Sequence, residues 1–531
     1  MRYHGRPMSE QEKDMAEAGG RVVVRFAPSP TGYLHLGSAR TGLYNYIFAR
    51  SRGGLFILRI EDTDPSRSTD EAILQIISSM REMGLEWDEG PEVPGPHGPY
   101  RQTERQGIYH EHIERLVGSG HLYPCFCTSE ELEAERQTAQ ADKRDWVYSG
   151  KCRALPTEER ERRVAAGEPY TLRMRVPEGV TAFHDLLRGP VEFANDLMGD
   201  FIVQRSDGTV TYNLAVVVDD VTMEITHVIR GDDHISNTPK QVLVYQALGA
   251  PVPEFLHMPL LFGTDRKKLS KRHGATKLEQ LTAQGYLVEV VRNYLCFLST
   301  EFDEGMITWT LNDLVQRFDV LGLGTSASIF DPEKLRWMNG RFIRQLDDVA
   351  LGERLEEYLT RVGFYGEPAA VEELARTGPE ALAAVVEGSE AAHALLVAPD
   401  EAQEALTRQL APLVREKMDL LADFIPLAGW FFRPLAFAPE ALERLAATPG
   451  AADTLRAAAV ALEQLPAWTP EAVEALVREL PERLQQKPKA VFAALRLGMS
   501  GQAVTPGLFE SLWVLGRDEA AGRLVTAAAE L

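Results

Sequence analysis

The sequence predicts an α/β fold, with a parallel sheet in the N-terminal half and an all-helical C-terminal part. Three observations support this prediction. Strands and helices alternate from Arg21 to about residue 99, the alternation resumes near residue 210, and apolar residues recur at helical spacing beyond about residue 276. Strands that alternate with helices form parallel sheets, because right-handed crossovers place each helix on a face of the sheet.

The first half of the predicted sheet begins with a buried strand over Val22 to Phe26, which the turn-forming run from Ala27 to Gly32 ends. A helix follows, because apolar residues recur on one helical face until two consecutive glycines interrupt the chain. A second strand is predicted over Leu55 to Ile60. A capping box of Ser68 and Glu71 then predicts the start of a second helix.

Between about Tyr100 and Thr209 the alternation fades into short charged segments, which indicates an insertion between two halves of one sheet. It resumes with three predicted strands, over Thr211 to Val218, Ile225 to Ile229 and Phe255 to Phe262. A helix between the last two begins at Thr238, with proline in its first turn. A basic loop bounded by glycines 263 and 274 closes this half, and nearly every later segment has the periodicity of a helix.

The composition is that of an ordinary globular protein. Of 531 residues, 44 % are hydrophobic and 25 % are charged, which excludes collagen-like and wholly disordered chains. No apolar run approaches the roughly 18 residues that span a bilayer, and the polar leader matches neither a signal peptide nor a transit peptide. Four cysteines are too few for a disulfide framework, so we expect a reducing, cytoplasmic location.

The net charge of -22 argues against a protein that coats nucleic acid nonspecifically. Such proteins use an excess of Lys and Arg to neutralise phosphates. A local basic face is compatible with an acidic chain, and the negative remainder would repel RNA docked elsewhere.

Four polar clusters follow predicted strands: His35 with Gly37, Arg59 to Asp64, Arg230 to His234, and Lys268 to Arg272. Ligands of open α/β sheets bind at the carboxyl ends of the strands, and a helix N-terminus favours phosphate. A lone His-x-Gly is more often a tight turn, and a lone basic loop is more often a solvated charge run. The coincidence of four clusters at one sheet edge therefore predicts a single site.

Two of these clusters resemble the signatures of class I aminoacyl-tRNA synthetases. The run Ala27-Pro28-Ser29-Pro30-Thr31-Gly32 with His35-Leu36-Gly37-Ser38 is similar to the first signature, and Lys268-Leu269-Ser270-Lys271-Arg272 is similar to the second. The order and spacing of the motifs between them resemble bacterial glutamyl-tRNA synthetases closely over about residues 21 to 345. Beyond that point the resemblance rests on helical character alone.

The resemblance implies an activity and its partners. L-glutamate would be activated with ATP to glutamyl-adenylate and transferred to the 3′-terminal adenosine of tRNA(Glu), with Mg²⁺ accompanying ATP. It further implies that tRNA binds before activation proceeds. We expect a monomer with no membrane partner.

The family pattern also implies roles for individual residues. Catalytic roles fall to His35, Lys268 and Lys271. ATP binding involves six positions: His35, Gly37, Ser38, Lys268, Ser270 and Lys271. Glutamate binding involves another six: Arg25, Ala27, Ser29, Glu61, Tyr212 and Arg230. A guanidinium suits the side-chain carboxylate of the substrate because its planar fork binds two oxygens, whereas Glu61 can hold the α-ammonium.

Pattern and resemblance together divide the chain into six parts. Residues 1–20 are expected to be a flexible extension, 21–99 and 210–262 the two halves of a Rossmann-type catalytic domain, and 100–209 an inserted domain that binds the acceptor stem. Residues 263–347 would carry the signature loop and a stem-contact helical domain, and 348–531 helical anticodon-binding domains. Arg415 is a candidate for contact with an anticodon base, or else a solvated helix charge.

Three alternatives share these signatures. Glutaminyl-tRNA synthetase has them too, but its anticodon part is built from strands, and the short paralogue that glutamylates a tRNA base ends near the basic loop. A catalytically inactive tRNA-binding protein on the same scaffold is the alternative from another class, and pyrophosphate exchange separates it from an enzyme.

The cysteines at 125, 127 and 152 resemble the Cys-x-Cys and Cys-x-His pairs that hold zinc in some members of the family. Thiolates suit zinc, but structural sites normally have four protein ligands. Ala154 stands where those members have histidine, and Tyr148 or His121 is a candidate replacement. Buried thiols that hold no metal are the other interpretation. We therefore expect no tightly bound zinc; the candidate ligands are Cys125, Cys127, Tyr148 and Cys152.

Overall fold

The computed structural model describes residues 21–30, 34–63, 68–269, 275–298, 300, 304–366 and 397–531. These residues belong to two compact units. The first comprises the described parts of Met1–Leu278 and Arg292–Asp331, and the second those of Glu279–Val291 and Pro332–Leu531. Within the described ranges, no helix combines the length and the apolar character that a membrane crossing requires.

The first unit contains all the strands of the described chain: β1 (Val23–Phe26), β2 (Leu55–Leu58), β3 (Leu122–Cys125), β4 (Thr171–Met174), β5 (Val180–Asp185), β6 (Gly189–Ala194), β7 (Ile202–Gln204), β8 (His227–Gly231), β9 (Glu254–Met258), β10 (Leu261–Phe262) and β11 (Ser328–Ile329). The main sheet has the order β2-β1-β8-β9-β5-β6. Its pairs are parallel except for β5 and β6. The predicted parallel α/β sheet is thus confirmed.

The helices of the first unit are α1 (Leu36–Ser51), α2 (Asp70–Glu82), α3 (Gln106–Gly118), α4 (Ser129–Ala141), α5 (Thr157–Ala165), α6 (Tyr212–Thr222), α7 (Thr238–Leu248) and, later in the chain, α10 (Leu311–Arg317). Between α7 and α10, α8 (Leu278–Ala283) lies almost wholly in the second unit, and α9 (Val288–Phe297) crosses the division between the units. Helix α1 matches the predicted one. Helix α2 is capped by Thr69, whose side chain accepts from the Ala72 amide, so the predicted capping box at Ser68 is wrong. A Thr hydroxyl one position later satisfies the same free amide groups.

The strand predicted over Thr211 to Val218 is wrong, because this segment forms helix α6. Seven consecutive residues from Leu214 to Asp220 are buried, so the helix is covered on nearly every side. A helix buried all round has a continuous apolar run, which periodicity alone cannot distinguish from a buried strand. Helix α6 also contains two aspartates, Asp219 and Asp220, that matter for the site.

The segment from residue 100 to 209 contributes to two sheets. Strands β3, β4 and β7 form a separate antiparallel sheet, and the hairpin of β5 and β6 extends the main sheet next to β9. One apolar core joins the main sheet to its neighbours, with buried members such as Ile57, Ile113, Val203, Leu214 and Phe255. Part of the predicted insertion is therefore continuous with the sheet that it interrupts.

The second unit is helical wherever it is described. Its helices are α11 (Pro332–Ile343), α12 (Asp348–Arg361), α13 (Glu401–Val414), α14 (Phe424–Ala428), α15 (Pro439–Ala446), α16 (Ala451–Glu463), α17 (Pro470–Arg483), α18 (Pro488–Ser500), α19 (Leu508–Leu515) and α20 (Arg517–Ala529). Arg415 forms an ion pair with Asp348 and its side chain is only 20 % exposed, so it is not a solvated helix charge.

Candidate active site

A cavity of about 900 Å³ opens at the carboxyl ends of β1 and β8, beside the N-terminus of α1. This is the sheet edge at which the four polar clusters were expected to meet. Ten of the predicted site residues line it: Arg25, Ala27, Ser29, His35, Gly37, Ser38, Glu61, Tyr212, Arg230 and Lys268. Ser270 and Lys271 lie outside the described residues, as do Thr31 and Gly32 of the first signature. The structure therefore brings together every described residue that was predicted for catalysis, ATP binding or glutamate binding.

His35 caps the N-terminus of α1 at the mouth of the cavity. Its Nδ1 accepts from the Ser38 amide at 3.4 Å, so in the neutral ring the proton lies on Nε2. Loss of water around the ring lowers the pKa of His35, and the positive charge of Lys268 lowers it further. His35 is thus a neutral hydrogen-bond donor near pH 7, at a helix end that favours anions.

Lys268 follows β10 and its side chain is 66 % exposed. Its Nζ donates to Asp233 Oδ2 at 3.3 Å, which ties the basic loop to the segment after β8. The ammonium group is therefore held at the cavity by an exposed ion pair, and such pairs cost little to break. Lys268 can exchange Asp233 for a phosphate oxygen.

Arg59 and Arg25 share one carboxylate beneath the cavity. Asp220 Oδ1 accepts from Arg59 Nη1 at 2.6 Å and from Arg25 Nε at 3.1 Å. Burial would raise the pKa of Asp220, but the two guanidinium groups hold it below its ordinary value. Arg59 also donates to Glu61 at 3.1 Å and is completely buried. This network fixes Arg25 and Glu61 at the cavity wall.

Glu61 faces a different balance of forces. Burial raises the pKa of its carboxyl group, and the charges of Arg59 and Arg25 oppose that rise only in part. A positively charged ligand group beside Glu61 would stabilise its ionised form. The residue can therefore receive an ammonium group.

Tyr212, the first residue of α6, contacts His234. The tyrosine hydroxyl lies 3.0 Å from His234 Nδ1. Burial, followed by the charge of Arg230, lowers the pKa of His234 to about 4, so the ring is neutral at pH 7. Burial also raises the pKa of Tyr212. The pair is a neutral polar surface beside the charged groups of the wall.

Arg230 ends β8 and is held by three neutral groups. Its Nε donates to His257 Nε2 at 3.2 Å, and its Nη2 donates to Thr238 Oγ1 at 2.9 Å and to Gln241 Oε1 at 2.7 Å. Nη1 is buried and has no hydrogen-bond partner among the described residues. Burial lowers the pKa of this guanidinium, which still leaves it charged at neutral pH. The group is oriented but not neutralised.

Sequence reasoning assigned no role to Asp220, Gln241 or His257. Each lies in a segment that resembles ordinary buried structure and belongs to none of the four clusters. One signal was available for two of them: Asp220 follows a long apolar run, and His257 interrupts an apolar strand. A polar residue at a buried, otherwise apolar position of a helix or strand needs a hydrogen-bonding partner. Here that partner belongs to the cavity wall.

A second cluster of functional groups lies at β3, apart from the cavity. The sulfur atoms of Cys125, Cys127 and Cys152 all lie within 4.8 Å of one another. The hydroxyl of Tyr148 is 3.4 Å from Cys125 Sγ and 3.7 Å from Cys127 Sγ, and it accepts from the Cys152 amide at 3.0 Å. Hydrogen bonds from Cys152 and Tyr148 hold the pKa of Cys125 below its ordinary value.

Four donor atoms therefore converge in this second cluster, and a set of three thiols and a phenol fits zinc. His121, the other candidate ligand, is not part of it, and its Nδ1 lies 2.8 Å from Ser119 Oγ. The prediction of no tightly bound zinc rested on the lack of a fourth ligand at Ala154. Tyr148 removes that reason, and the prediction itself awaits measurement.

Comparison with known proteins agrees with this geometry. Residues 21–337 match the catalytic domain of tRNA synthetases class I (E and Q), and residues 376–528 match an anticodon binding domain. A glutamate–tRNA ligase of Rubrobacter xylanophilus is 41 % identical over 94 % of this chain and 96 % of its own. One of Caldicellulosiruptor saccharolyticus is 39 % identical over 95 % of this chain and 98 % of its own.

A solved structure is similar over nearly the whole length. A glutamate–tRNA ligase from Elizabethkingia meningosepticum, crystallised in complex with its amino acid, superposes with a TM-score of 0.78 at 28 % identity, over 96 % of this chain and 99 % of that one. The matched family model covers more than half of the chain, including every described residue that lines the cavity. The chain belongs to the class I tRNA synthetases of the glutamate and glutamine group.

Proposed function

We propose that this chain is a glutamate–tRNA ligase, which activates L-glutamate with ATP in the cavity and transfers it to the 3′-terminal adenosine of tRNA(Glu). Relatives of that name cover the chain almost completely. The observation that carries the choice of glutamate is Arg230, a buried cation of the cavity wall without an anionic partner in the described chain. A buried charge is costly unless a ligand pairs with it, and the side-chain carboxylate of glutamate would do so.

In the activation step the α-carboxylate of glutamate attacks the α-phosphorus of ATP, which enters as its magnesium complex, and pyrophosphate leaves. Negative charge grows on the phosphoryl oxygens, so hydrogen-bond donors fixed in advance lower the barrier. His35 and Lys268 are such donors at the mouth of the cavity, and we assign the same role to Lys271. Gly37, Ser38 and Ser270 complete the proposed ATP site.

The amino-acid end of the cavity has groups for each part of glutamate. Glu61 would hold the α-ammonium group, and Arg25 and Arg230 the carboxylates, with Tyr212 and the backbone around Ala27 and Ser29 enclosing them. Arg25 keeps part of its fork available, because Asp220 accepts from its Nε alone. The charges of the wall thus match the charges of the substrate.

In the transfer step a hydroxyl of the terminal adenosine attacks the activated carbonyl carbon, and AMP leaves. We assign acceptor-stem binding to residues 100–209, stem contacts to 263–347 and anticodon reading to 348–531. The match of residues 376–528 to an anticodon binding domain supports the last assignment. We expect a cytoplasmic monomer that needs tRNA for activation.

Glutaminyl-tRNA synthetase is the alternative, and Arg230 argues against it. Glutamine would offer this buried guanidinium a neutral amide, which compensates a charge less well than a carboxylate does. The described C-terminal helices also differ from the strands expected for that enzyme.

Pyrophosphate exchange tests the proposal and both alternatives. We expect exchange that depends on glutamate and on tRNA(Glu), with glutamine at least about 10²-fold less effective in kcat/KM, because a buried charge-assisted bond is lost. Preference for glutamine would favour the alternative enzyme, and no exchange with either amino acid would favour an inactive binding protein. Charging of purified tRNA(Glu) and tRNA(Gln) then defines the acceptor.

If zinc occupies the second cluster, Cys125, Cys127, Tyr148 and Cys152 would hold it, and its role there would be structural. The geometry favours this occupancy against the expectation from sequence. Elemental analysis of protein prepared without added metal would then find about one zinc per chain, lost in Cys125→Ser, because a closed structural site takes a single ion. Cys296, buried outside the cluster, provides the matched control, and Cys296→Ser should leave the metal content unchanged. A metal-free wild-type chain would support the expectation from sequence.

A further inference from the structure

Arg230 differs from three other buried arginines of the first unit, Arg25, Arg59 and Arg105, in the chemistry of its partners. Arg25 and Arg59 both donate to the carboxylate of Asp220, and Arg105 donates to that of Asp219 at 2.6 Å. The three acceptors of Arg230 are an imidazole nitrogen, a hydroxyl and an amide oxygen. The fold thus places carboxylates beside the neighbouring cations and neutral oxygen and nitrogen atoms beside this one.

The imidazole among these acceptors is held in one tautomer. Asp185 Oδ2 accepts from His257 Nδ1 at 2.7 Å and from the His257 amide at 3.0 Å, and both side chains are completely buried. Asp185 Oδ1 accepts from two further backbone amides, of Leu187 and Arg188. A carboxylate with four donors is ionised, so the proton stays on His257 Nδ1 and Nε2 is left as an acceptor.

The amide among them is oriented in the same way. Gln241 Oε1 faces Arg230, while its Nε2 donates to Asn213 Oδ1 at 3.2 Å. Gln241 is 2 % exposed, so no water replaces these contacts. A glutamate has nearly the same shape and would place a charged oxygen where the amide oxygen now lies. The choice of an amide therefore sets the charge of this part of the wall.

We propose that Gln241 is a specificity-determining positioning residue: with Thr238 and His257 it orients Arg230 through neutral acceptors, and so reserves the charge of Arg230 for a carboxylate of the substrate. This inference rests on the proposed function. Neutral acceptors fix the guanidinium plane without compensating its charge, and a buried uncompensated charge binds an anion strongly. A carboxylate at position 241 would instead compensate Arg230 before the substrate arrives.

The test is Gln241→Glu, with Gln246→Glu as the matched control. Gln246 lies on the same helix and is exposed, so it adds the same charge away from Arg230. In tRNA-dependent pyrophosphate exchange, we expect Gln241→Glu to raise the KM for glutamate about 10- to 100-fold, the range for loss of a hydrogen bond to a charged group. The KM for ATP should change less than about twofold, because the ATP groups are elsewhere in the cavity. The control should match the wild type.

Thermal unfolding without ligand separates this role from a merely structural one. The new ion pair should keep or raise the melting temperature of Gln241→Glu, because a buried lone cation gains a partner. Gln241→Met, which keeps the shape and removes the acceptor, should weaken glutamate binding less than Gln241→Glu does. An unchanged KM for glutamate, or a parallel rise in both KM values with a lower melting temperature, would overturn the inference. Absence of glutamate-dependent exchange in the wild type would instead overturn the proposed function.

Discussion

Two regions of the cavity wall both bury arginine, but they balance its charge differently. At the ends of β1 and β2, Arg25 and Arg59 are matched by the carboxylate of Asp220. At the end of β8, the acceptors that hold Arg230 in the described part of the chain are all neutral. Removing either partner of a buried ion pair destabilises the fold, because the other charge is left buried and unpaired. A buried cation without an anionic partner instead raises the free energy of the empty site, and binding of an anion relieves that cost. The balance of charge thus distinguishes Arg59, which is paired within the fold, from Arg230, for which we propose a substrate carboxylate as the partner.

The largest effect is expected at Arg59, whose charge is paired with the carboxylate of Asp220. Arg59→Met should lower the free energy of unfolding of the catalytic unit by about 3 to 5 kcal/mol, because it leaves buried carboxylates without their partner. Chemical denaturation followed by a signal from the catalytic unit measures this, with Arg50→Met, at a half-exposed ion pair, as the control. Equal stability of the two variants would contradict the structural role of Arg59.

Replacement of Arg230, which has no carboxylate partner in the described chain, should weaken the use of glutamate rather than the stability of the fold. Arg230→Met should lower kcat/KM for glutamate by about 10³-fold, because a buried charge pair with the substrate is worth several kcal/mol. The melting temperature should stay equal or rise, since no carboxylate loses its partner. If Arg230→Met unfolds as easily as Arg59→Met, the distinction between the two regions fails.

The hydrogen-bond donors proposed for the mouth of the cavity, His35 and Lys271, should affect the maximal exchange rate. His35→Ala and Lys271→Ala should each lower the maximal exchange rate by about 10²- to 10³-fold, as loss of one preorganised donor does, with little change in the KM for glutamate. Initial rates at saturating ATP and glutamate measure the effect. Near-normal exchange in both variants would remove these residues from the proposed mechanism.

The smallest effect concerns His227, a neutral buried base at the start of β8. Its side chain is 4 % exposed, and burial, with the charge of Arg52 as a second cause, lowers its pKa to about 4. An unfolded histidine titrates near 6.5, so its contribution to stability is complete above that pH and is lost as pH falls from 6.5 to 4, by up to about 3 kcal/mol. The stability difference between wild type and His227→Gln, measured at pH 7.5 and at pH 5, isolates this loss from the titration of other groups. A constant difference would contradict the lowered pKa.

Much of the site was predictable because its chemistry lies in short motifs at strand ends. His35 with Gly37, Glu61, Arg230 and Lys268 were expected together, and all of them line one cavity. The carboxyl ends of parallel strands lie at one edge of the sheet, whatever lies between the strands in the chain. Motifs that follow such strands are therefore expected to lie close together.

The groups that orient those residues were not assigned from the sequence, although His257 interrupts an apolar strand. Asp185, Gln241 and His257 act through Arg230, and they come from three elements whose contact depends on the tertiary fold. Helix α6 was missed for a related reason, since burial on nearly all sides removes the periodic pattern that identifies a helix. The residues of the strand-end motifs are thus easier to predict than the residues that hold them in place.

The pairing of β1 with β8 has a consequence for the synthesis of the chain, because the two strands are far apart in the sequence. The Val23 amide donates to the Thr226 side chain, 203 positions later, where β1 meets β8. At about 5 to 20 residues per second, a ribosome needs roughly 10 to 40 s to make the intervening segment. A pair of strands alone is marginally stable in water, so the unpaired backbone edge of β1 stays exposed for that time. Another strand can pair with this edge wrongly. The nascent chain is therefore most vulnerable to aggregation before β8 emerges, and a chaperone that covers residues 21–60 would raise the yield of folded protein.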